Sequence, residues 1–159
     1  MQDAVVHLDQ GTRFEAVYRD HGDHIWRGIL LYSGDPEIAS DAVAESFAQA
    51  IRRGTAVNDP VRWITRAAYR IAAGELKRRR TIDYRIVDAA REPELPDPEL
   101  AAALARLSPK QRAAVILHFR DGYTLKEVAE TIGSTTAAVG VHLDRAKTRL
   151  RELLGDDDA

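Results

Sequence analysis

The chain has 159 residues, of which 45% are hydrophobic and 30% charged, with a formal net charge of −2. This composition is typical of a globular protein. A net charge of −2 excludes a protein that coats nucleic acid by bulk electrostatic attraction. The absence of cysteine excludes a disulfide framework and a thiolate zinc site. Because there is neither a signal-peptide pattern nor a run of about 18 apolar residues, we expect a cytoplasmic protein without membrane contact.

The N-terminal part predicts helices. Thr12 and Glu15 form a capping-box pattern that opens the first helix, and the sequence at 21–23 is expected to loosen its middle. The buried side of this helix is predicted to carry Phe14, Val17, Tyr18, Ile25, Ile29 and Leu30.

The second helix is predicted to begin at Asp35-Pro36, where aspartate caps and proline takes the first helical position, and to run to about Arg53. Its apolar stripe consists of Ile38, Ala42, Val43, Phe47, Ala50 and Ile51. After a loop at 54–59, Pro60 opens a long helix that ends in four consecutive cations, 77–80.

An acidic segment follows. Between residues 81 and 102 there are 2 basic and 6 acidic residues, and the stretch 83–99 contains three prolines without a sustained period. This pattern predicts an extended linker. No alternating strand pattern is present. We therefore expect an all-α fold with two small helical domains, 1–82 and 100–159, joined by the acidic linker 83–99.

The C-terminal part predicts a helix-turn-helix. Helices are expected from Asp97-Pro98 to Leu107 and from Ser108-Pro109 to about Arg120. Thr124 and Glu127 then form a capping box, and Gly133 ends the short helix that follows. A longer helix with apolar residues at spacings of three and four completes the motif. An ordinary helical hairpin is the alternative.

A cationic and aromatic face on the long helix suits melted or single-stranded DNA, because cations follow phosphates and aromatic rings stack on unpaired bases. Its residues are Arg62, Trp63, Arg66, Tyr69, Arg70, Lys77 and Arg80. The alternative is a solvated arginine face, with Trp63 in the core as its favoured role.

In the C-terminal part, hydroxyls stand at helix N-termini, where the helix dipole favours phosphate, although capping alone explains them. They belong to Thr124, Ser134, Thr135 and Thr136, and cations follow at Arg145, Lys147, Arg149 and Arg151.

Two further groups are weaker signals. Asp41, Glu45 and Gln49 form a row opposite the apolar stripe of the second helix, which periodicity alone explains as simple exposure. His21 and His24 lack a spaced third ligand. We expect no metal, no cofactor and no catalytic site, and hence no enzyme.

Three segments together resemble a bacterial RNA polymerase sigma factor of the extracytoplasmic-function (ECF) type, over about 14–154. Residues 39–47 (ASDAVAESF) are similar to the family's A-E-D-L-V-Q-E-T-F helix, and residues 63–80 to its W-L-y-r-I-A helix with the terminal R-R. Residues 107–112 (LSPKQR) with 122–150 are similar to its promoter-reading domain.

The resemblance implies a role for each face. Asp41, Glu45 and Gln49 would bind the clamp helices of core RNA polymerase, and the flap would be a further contact. The loop 54–59, with Asn58 as the residue best placed to hold an extruded base, and the cationic face would bind and melt the minus-ten element. The minus-thirty-five element would be read by Thr124, Lys126, Thr135, Thr136, His142, Arg145, Lys147 and Arg149.

The resemblance also implies that the acidic linker threads through the positively lined cleft of the polymerase. An anti-sigma factor is a further partner that it suggests.

The chain departs from the family pattern. Ala44 stands where glutamine is usual, and Arg70 and Gly74 replace asparagine and aspartate. In the recognition helix, Gly140 and His142 replace lysine and arginine, and Asp144 adds a negative charge. The changes in the recognition helix remove about two phosphate contacts, on the order of tenfold or more in DNA affinity at moderate salt.

Two alternatives remain open. A stand-alone helix-turn-helix regulator would bind duplex DNA as a dimer on symmetric half-sites, although the sequence offers no obvious dimerisation helix. A sigma-like protein that has lost promoter binding and acts through protein contacts is the other.

Overall fold

The structure is a computed structural model that describes the backbone of residues 2–79 and 97–155, and the side chains of residues 11–79 and 97–155. Arg80, most of the predicted linker 83–99 and the acidic tail 156–158 lie outside the described residues. Among the residues that are described, no helix has the length and apolar character needed to cross a bilayer.

The N-terminal half is a bundle of three helices, α1 (Gln2–Ser33), α2 (Pro36–Arg53) and α3 (Pro60–Arg79), with a 3-10 turn at Gly54–Ala56. All three helices pack on one another. The predicted start of α2 is confirmed, since the Asp35 carboxylate accepts hydrogen bonds from the backbone N–H groups of Glu37 and Ile38. The side chain of Arg79 returns from the end of α3 to the same carboxylate, with Nη1 2.6 Å from Oδ2. This pair ties the last turn of α3 to the first turn of α2.

The first helix differs from its prediction at two places. It begins at Gln2 rather than near Thr12, which therefore lies inside the helix, and it continues without a break through residues 21–23. A T-x-x-E pattern fits a helix interior as well as a helix start, so it does not fix the boundary. One interior glycine costs only about 1 kcal/mol. The burial of Val17 and Ile25, on either side of the predicted weak point, outweighs this cost.

Two residues of the predicted apolar stripes are exposed. Tyr18 is 62% exposed and Ile51 is 55% exposed, while the other predicted stripe residues of α1 and α2 are buried. Tyr18 still packs one edge of its ring on Phe47, at 5.3 Å between centroids. Both exposed residues lie at the margin of a stripe. The sequence period gives the direction of the buried face but not its width.

The C-terminal half contains α4 (Pro98–Ala105), α5 (Pro109–Val115), α6 (Leu125–Ile132) and α7 (Thr136–Leu154), with a π-helical turn, Ile116–Arg120, continuing α5. The capping boxes at Ser108 and Thr124 are both formed. Gly133 ends α6 with φ +67, a left-handed conformation that favours glycine. The predicted helix-turn-helix is therefore confirmed as α6–Gly133–α7.

The two halves pack against each other. Helix α1 contacts α4, α5 and the π turn, and α3 contacts α6. Buried residues of both halves, including Ile29 and Leu117, belong to one continuous hydrophobic cluster. The all-α class is as predicted. The domain boundaries stay a prediction, because most of the segment between the halves lies outside the described residues.

The exposed and buried isoleucines give a matched stability test. Ile29→Ala removes a side chain with 0% exposure, and we expect a loss of about 2 to 5 kcal/mol in the free energy of unfolding. Ile51→Ala, at 55% exposure, should cost less than about 1 kcal/mol. Urea denaturation followed by circular dichroism measures both. Equal losses would contradict the described core.

Candidate nucleic-acid interface

The recognition helix α7 presents its N-terminal end to solvent. Thr135 caps the helix by accepting a hydrogen bond from the backbone N–H of Ala138 at 3.1 Å. Thr136 is exposed in the first turn. Thr124 accepts from the N–H of Glu127 at 3.1 Å, and Lys126 is exposed beside it. Two of the predicted hydroxyls therefore form caps, at helix ends that retain free N–H groups for an anion.

The cations of α7 are less available than their number suggests. Arg145 and Lys147 are exposed, but the Lys147 ammonium lies 5.2 Å from the centre of the Phe119 ring. Arg149 pairs with Glu152 at 3.1 Å, and His142 is half-buried at the edge of a cleft between the two halves. The accessible positive charge of α7 is therefore carried by Arg145, Lys147 and Arg151.

The loop before α3 is held so that Asn58 faces solvent. Val57 is 1% exposed and anchors the loop in the core. The Arg13 guanidinium donates to the carbonyl oxygens of Val57 at 2.6 Å and Asn58 at 3.2 Å. Asp59 accepts from the N–H of Arg62 at the start of α3. The side chain of Asn58 is left exposed on a fixed backbone, as a residue that captures a base requires.

Sequence reasoning missed Arg13. It lies 44 residues from Val57 along the chain, and no local pattern connects them. An exposed loop with a buried valine was the available sign that something must bind its backbone carbonyls.

The two aromatic residues of α3 have different positions. Trp63 is half-buried against the core with the Arg53 guanidinium 5.8 Å from its ring centre, so its favoured core role is supported. Tyr69 is 3% exposed and packs on Tyr32 at 5.3 Å between ring centroids. Burial, with the nearby Asp121 carboxylate as a second cause, raises the pKa of Tyr69 well above its usual range. The prediction that Tyr69 offers a stacking face is wrong for this conformation, because the ring is covered.

The arginines of α3 are directed onto the other half of the protein. Arg62 forms an ion pair with Glu127, and Arg66 donates to Glu130 at 2.6 Å. Arg70 donates to the backbone oxygen of Glu130 at 3.1 Å. Lys77, farther along α3, is exposed. Of the predicted cationic face, three arginines thus have intramolecular partners, and Arg80 lies outside the described residues.

The acidic row of α2 lies on the face of this helix that points away from the core of the bundle. Asp41 and Glu45 are exposed and Gln49 is half-buried. Hydrogen bonds from Gln49 and then Arg52 lower the pKa of Glu45. These hydrogen bonds hold the Glu45 and Gln49 side chains in place along the row.

The chain is similar to known proteins both in sequence and in fold. The Sigma-70, region 4 family matches residues 98–150. The chain is 30% identical to the ECF RNA polymerase sigma factor BldN of Streptomyces coelicolor, over 93% of this chain and 62% of that protein. It is 27% identical to the ECF RNA polymerase sigma factor SigL of Mycobacterium tuberculosis, over 89% of each.

Among solved structures, the fold is similar to that of the sigma factor RpoE of Bartonella quintana, determined in complex with the anti-sigma factor NepR. The TM-score is 0.74 at 20% identity, over 91% of this chain and 98% of that chain. CnrH, determined with the cytosolic domain of CnrY, gives a TM-score of 0.67 at 19% identity, over 98% and 96%. At these identities the likeness establishes the fold alone.

The contact between Arg13 and the loop can be tested by hydrogen exchange. Arg13→Ala removes a charged donor, worth about 1.5 kcal/mol. We expect the Val57 amide, which donates to the Gly54 oxygen at 3.2 Å, to exchange on the order of tenfold faster. Arg19→Ala, which removes a surface arginine paired with adjacent Asp20, is the control. Unchanged exchange at Val57 would contradict a positioning role for Arg13.

Proposed function

We propose that this chain, which belongs to the ECF sigma factors, binds core RNA polymerase and directs promoter recognition, DNA melting and transcription initiation. The single observation that carries the proposal is the presentation of three separate exposed elements: the acidic row of α2, the Asn58 loop, and the first turn of α7. Each of these elements is suited to a different kind of partner: a basic protein surface, an unpaired base and duplex DNA. The function is binding rather than catalysis, and its place is the cytoplasm, where the polymerase works.

Core polymerase is proposed to bind the acidic row of α2. Asp41 and Glu45 are exposed on one helix face, one turn apart. Ala44, which stands beside them where the family usually has glutamine, is exposed and leaves the row flat. Carboxylates in this arrangement complement a basic surface and set the rate and salt dependence of docking.

The minus-ten element is proposed to bind at the loop 54–59 and along α3. Asn58 offers both a donor and an acceptor to the edge of an extruded base. Exposed Lys77 and the arginines of α3 would follow the phosphates of the melted strand. The fixed backbone of the loop limits the entropy lost when a base is captured.

The minus-thirty-five element is proposed to meet the N-terminal part of α7. Thr136 and the N–H groups of the first turn are exposed there. Gly140 contributes no side chain, and exposed Asp144 repels phosphate. Duplex DNA is therefore bound weakly by this half alone. A second anchor on the polymerase would raise the effective concentration of the helix at its site.

Reconstitution tests the proposal. Purified protein added to core polymerase from the native host, with host genomic DNA as template, should produce transcripts with new 5′ ends that the core alone does not make. Permanganate footprinting should show melted thymines just upstream of those ends. If the protein does not co-purify with core polymerase, the proposal fails. Binding of a palindromic duplex by a dimer, without polymerase, would favour the stand-alone regulator instead.

The acidic row has its own prediction. Asp41→Lys should weaken binding to core polymerase by about tenfold, roughly 1.4 kcal/mol, with the difference shrinking as salt is raised. Asp20→Lys makes the same charge change at an exposed site on α1 and should leave the affinity within twofold. Fluorescence anisotropy of labelled protein titrated with core enzyme measures both. Equal affinities of the two variants would remove the row from the interface.

A further inference from the structure

We propose that α7 reads thymine and cytosine in the minus-thirty-five element. Val141 contacts the methyl group of a thymine, and Asp144 accepts a hydrogen bond from the amino group of a cytosine. Neither residue is among those predicted to contact DNA. The inference rests on the proposed function for the identity of the duplex, and it adds which bases the helix selects and which side chains select them.

One side of α7 is fixed in the core, and the opposite side projects from the helix-turn-helix. Val139 and Leu143, at 0% and 5% exposure, mark the buried side. Ala137, Val141 and Asp144 are exposed and follow one another at spacings of four and three residues, so they lie along one line of the helix surface. This line begins at the second residue of α7. The N-terminal part of a recognition helix is the part that contacts base edges in the major groove.

Val141 presents apolar methyl groups at the centre of this line. The residue is 47% exposed, although Val139, two positions earlier, is fully buried. Ala137, one turn before it, is also exposed, and Gly140 beside it has no side chain. The line at Ala137 and Val141 therefore offers methyl groups but neither a hydrogen-bond donor nor a cation. Thymine is the base that presents a methyl group in the major groove, and apolar side chains contact that group.

Asp144 places a carboxylate one turn beyond Val141. It is exposed, and within the described parts of the chain no hydrogen bond or ion pair engages its side chain. An ionised carboxylate accepts hydrogen bonds and donates none. In the major groove guanine presents two acceptors, N7 and O6, which repel a carboxylate, whereas the N4 amino group of cytosine donates to it. The charge that repels phosphate therefore selects cytosine.

The side chains that usually read guanine are missing from this part of α7. Arginine or lysine bound to guanine O6 and N7 is the commonest specific contact between proteins and DNA. Gly140 and His142 stand where the family usually has lysine and arginine, and His142 is half-buried at the edge of the cleft between the halves. The exposed cations Arg145 and Lys147 come later in the helix. In the proposed arrangement they position α7 on phosphates, which carry no sequence information.

The spacing of the outward side chains sets the length of the recognised sequence. Ala137 and Asp144 are seven positions apart in the sequence. At 1.5 Å per residue this is about 10.5 Å along the helix axis. Base pairs of a duplex rise about 3.4 Å each, so the line spans roughly three base-pair steps. We therefore expect the thymine and the cytosine to lie within about four successive base pairs.

Two protein variants and one change in the DNA isolate these contacts. Val141→Ser removes the methyl groups without adding bulk. Asp144→Asn converts the carboxylate into an amide, which pairs with N6 and N7 of adenine. Asp20→Asn makes the same chemical change at an exposed site on α1 and is the matched control. Deoxyuridine in place of thymine removes the base methyl group and leaves the hydrogen-bonding groups unchanged.

A selection identifies the bases. The template is a promoter that core polymerase with this protein uses on host genomic DNA, with its minus-thirty-five element randomised. Transcribed templates are then sequenced. We expect the wild type to select thymine and cytosine, Asp144→Asn to select adenine in place of the cytosine, and Val141→Ser to lose the preference for thymine. Asp20→Asn should select the same bases as the wild type.

Binding of the complete polymerase to the selected duplex measures each contact. Deoxyuridine at the thymine whose preference Val141→Ser abolishes should weaken wild-type binding about fourfold, because one methyl group leaves an apolar contact. In Val141→Ser the same replacement should have no further effect, since its partner is already absent. Guanine in place of the selected cytosine should cost the wild type about tenfold. Deoxyuridine between the two promoter elements is the DNA control.

The outcomes separate this inference from the proposed function. Initiation with guanine selected at these positions would overturn the inference and leave the proposed function standing. Equal effects of deoxyuridine on the wild type and on Val141→Ser would remove Val141 from base reading, and unchanged selection by Asp144→Asn would remove Asp144. Absence of initiation from every template would overturn the proposed function and this inference together. Circular dichroism establishes that each variant is folded.

Discussion

The arginine face of α3 is the constraint on which the arrangement of this protein depends. The opposite face of the helix is fixed in the N-terminal core by residues such as Ile64 and Ala68, both 0% exposed. The arginines must therefore project from the bundle in a row, where their like charges repel one another unless anions lie nearby. In this structure the anions are supplied by α6. In the proposed complex they would be supplied by the phosphates of DNA.

Local features of the fold could be predicted from the sequence because their causes are local. Asp35, Ser108 and Thr124 cap helices through side chains only two or three residues away, and Gly133 adopts the left-handed conformation that its position requires. The failures have a different cause. The start of α1 was misplaced because helix extension depends on packing. Tyr18 was assigned to the core because the width of a buried stripe is set by a neighbouring helix, which periodicity does not contain.

The residues of the candidate site fall into the same two groups: those whose positions follow from the local sequence, and those whose contacts are distant in the sequence. The exposure of Asp41 and Asn58 follows from their place on a helix face and in a loop, so their availability could be predicted. Arg13 could not be found, since its partners are carbonyl oxygens 44 and 45 residues away. Nor could the pairing of Arg66 with Glu130, which are 64 residues apart and were each assigned to a different half. Ion pairs between the two halves produce no periodic pattern in the sequence, because each partner, taken alone, is indistinguishable from a charged residue exposed to solvent.

The same contacts suggest why so little positive charge on α7 is sufficient for a promoter-reading role. A strongly basic recognition helix would bind non-specific duplex throughout the genome and hold the protein away from polymerase. Arg145, Lys147 and Arg151 are the exposed cations of α7, and Arg62 and Arg66 of α3 are paired with Glu127 and Glu130, so we expect the free protein to bind non-specific DNA weakly. Affinity then becomes a property of the assembly. In the proposed function, docking through α2 would bring both DNA-binding elements to one place.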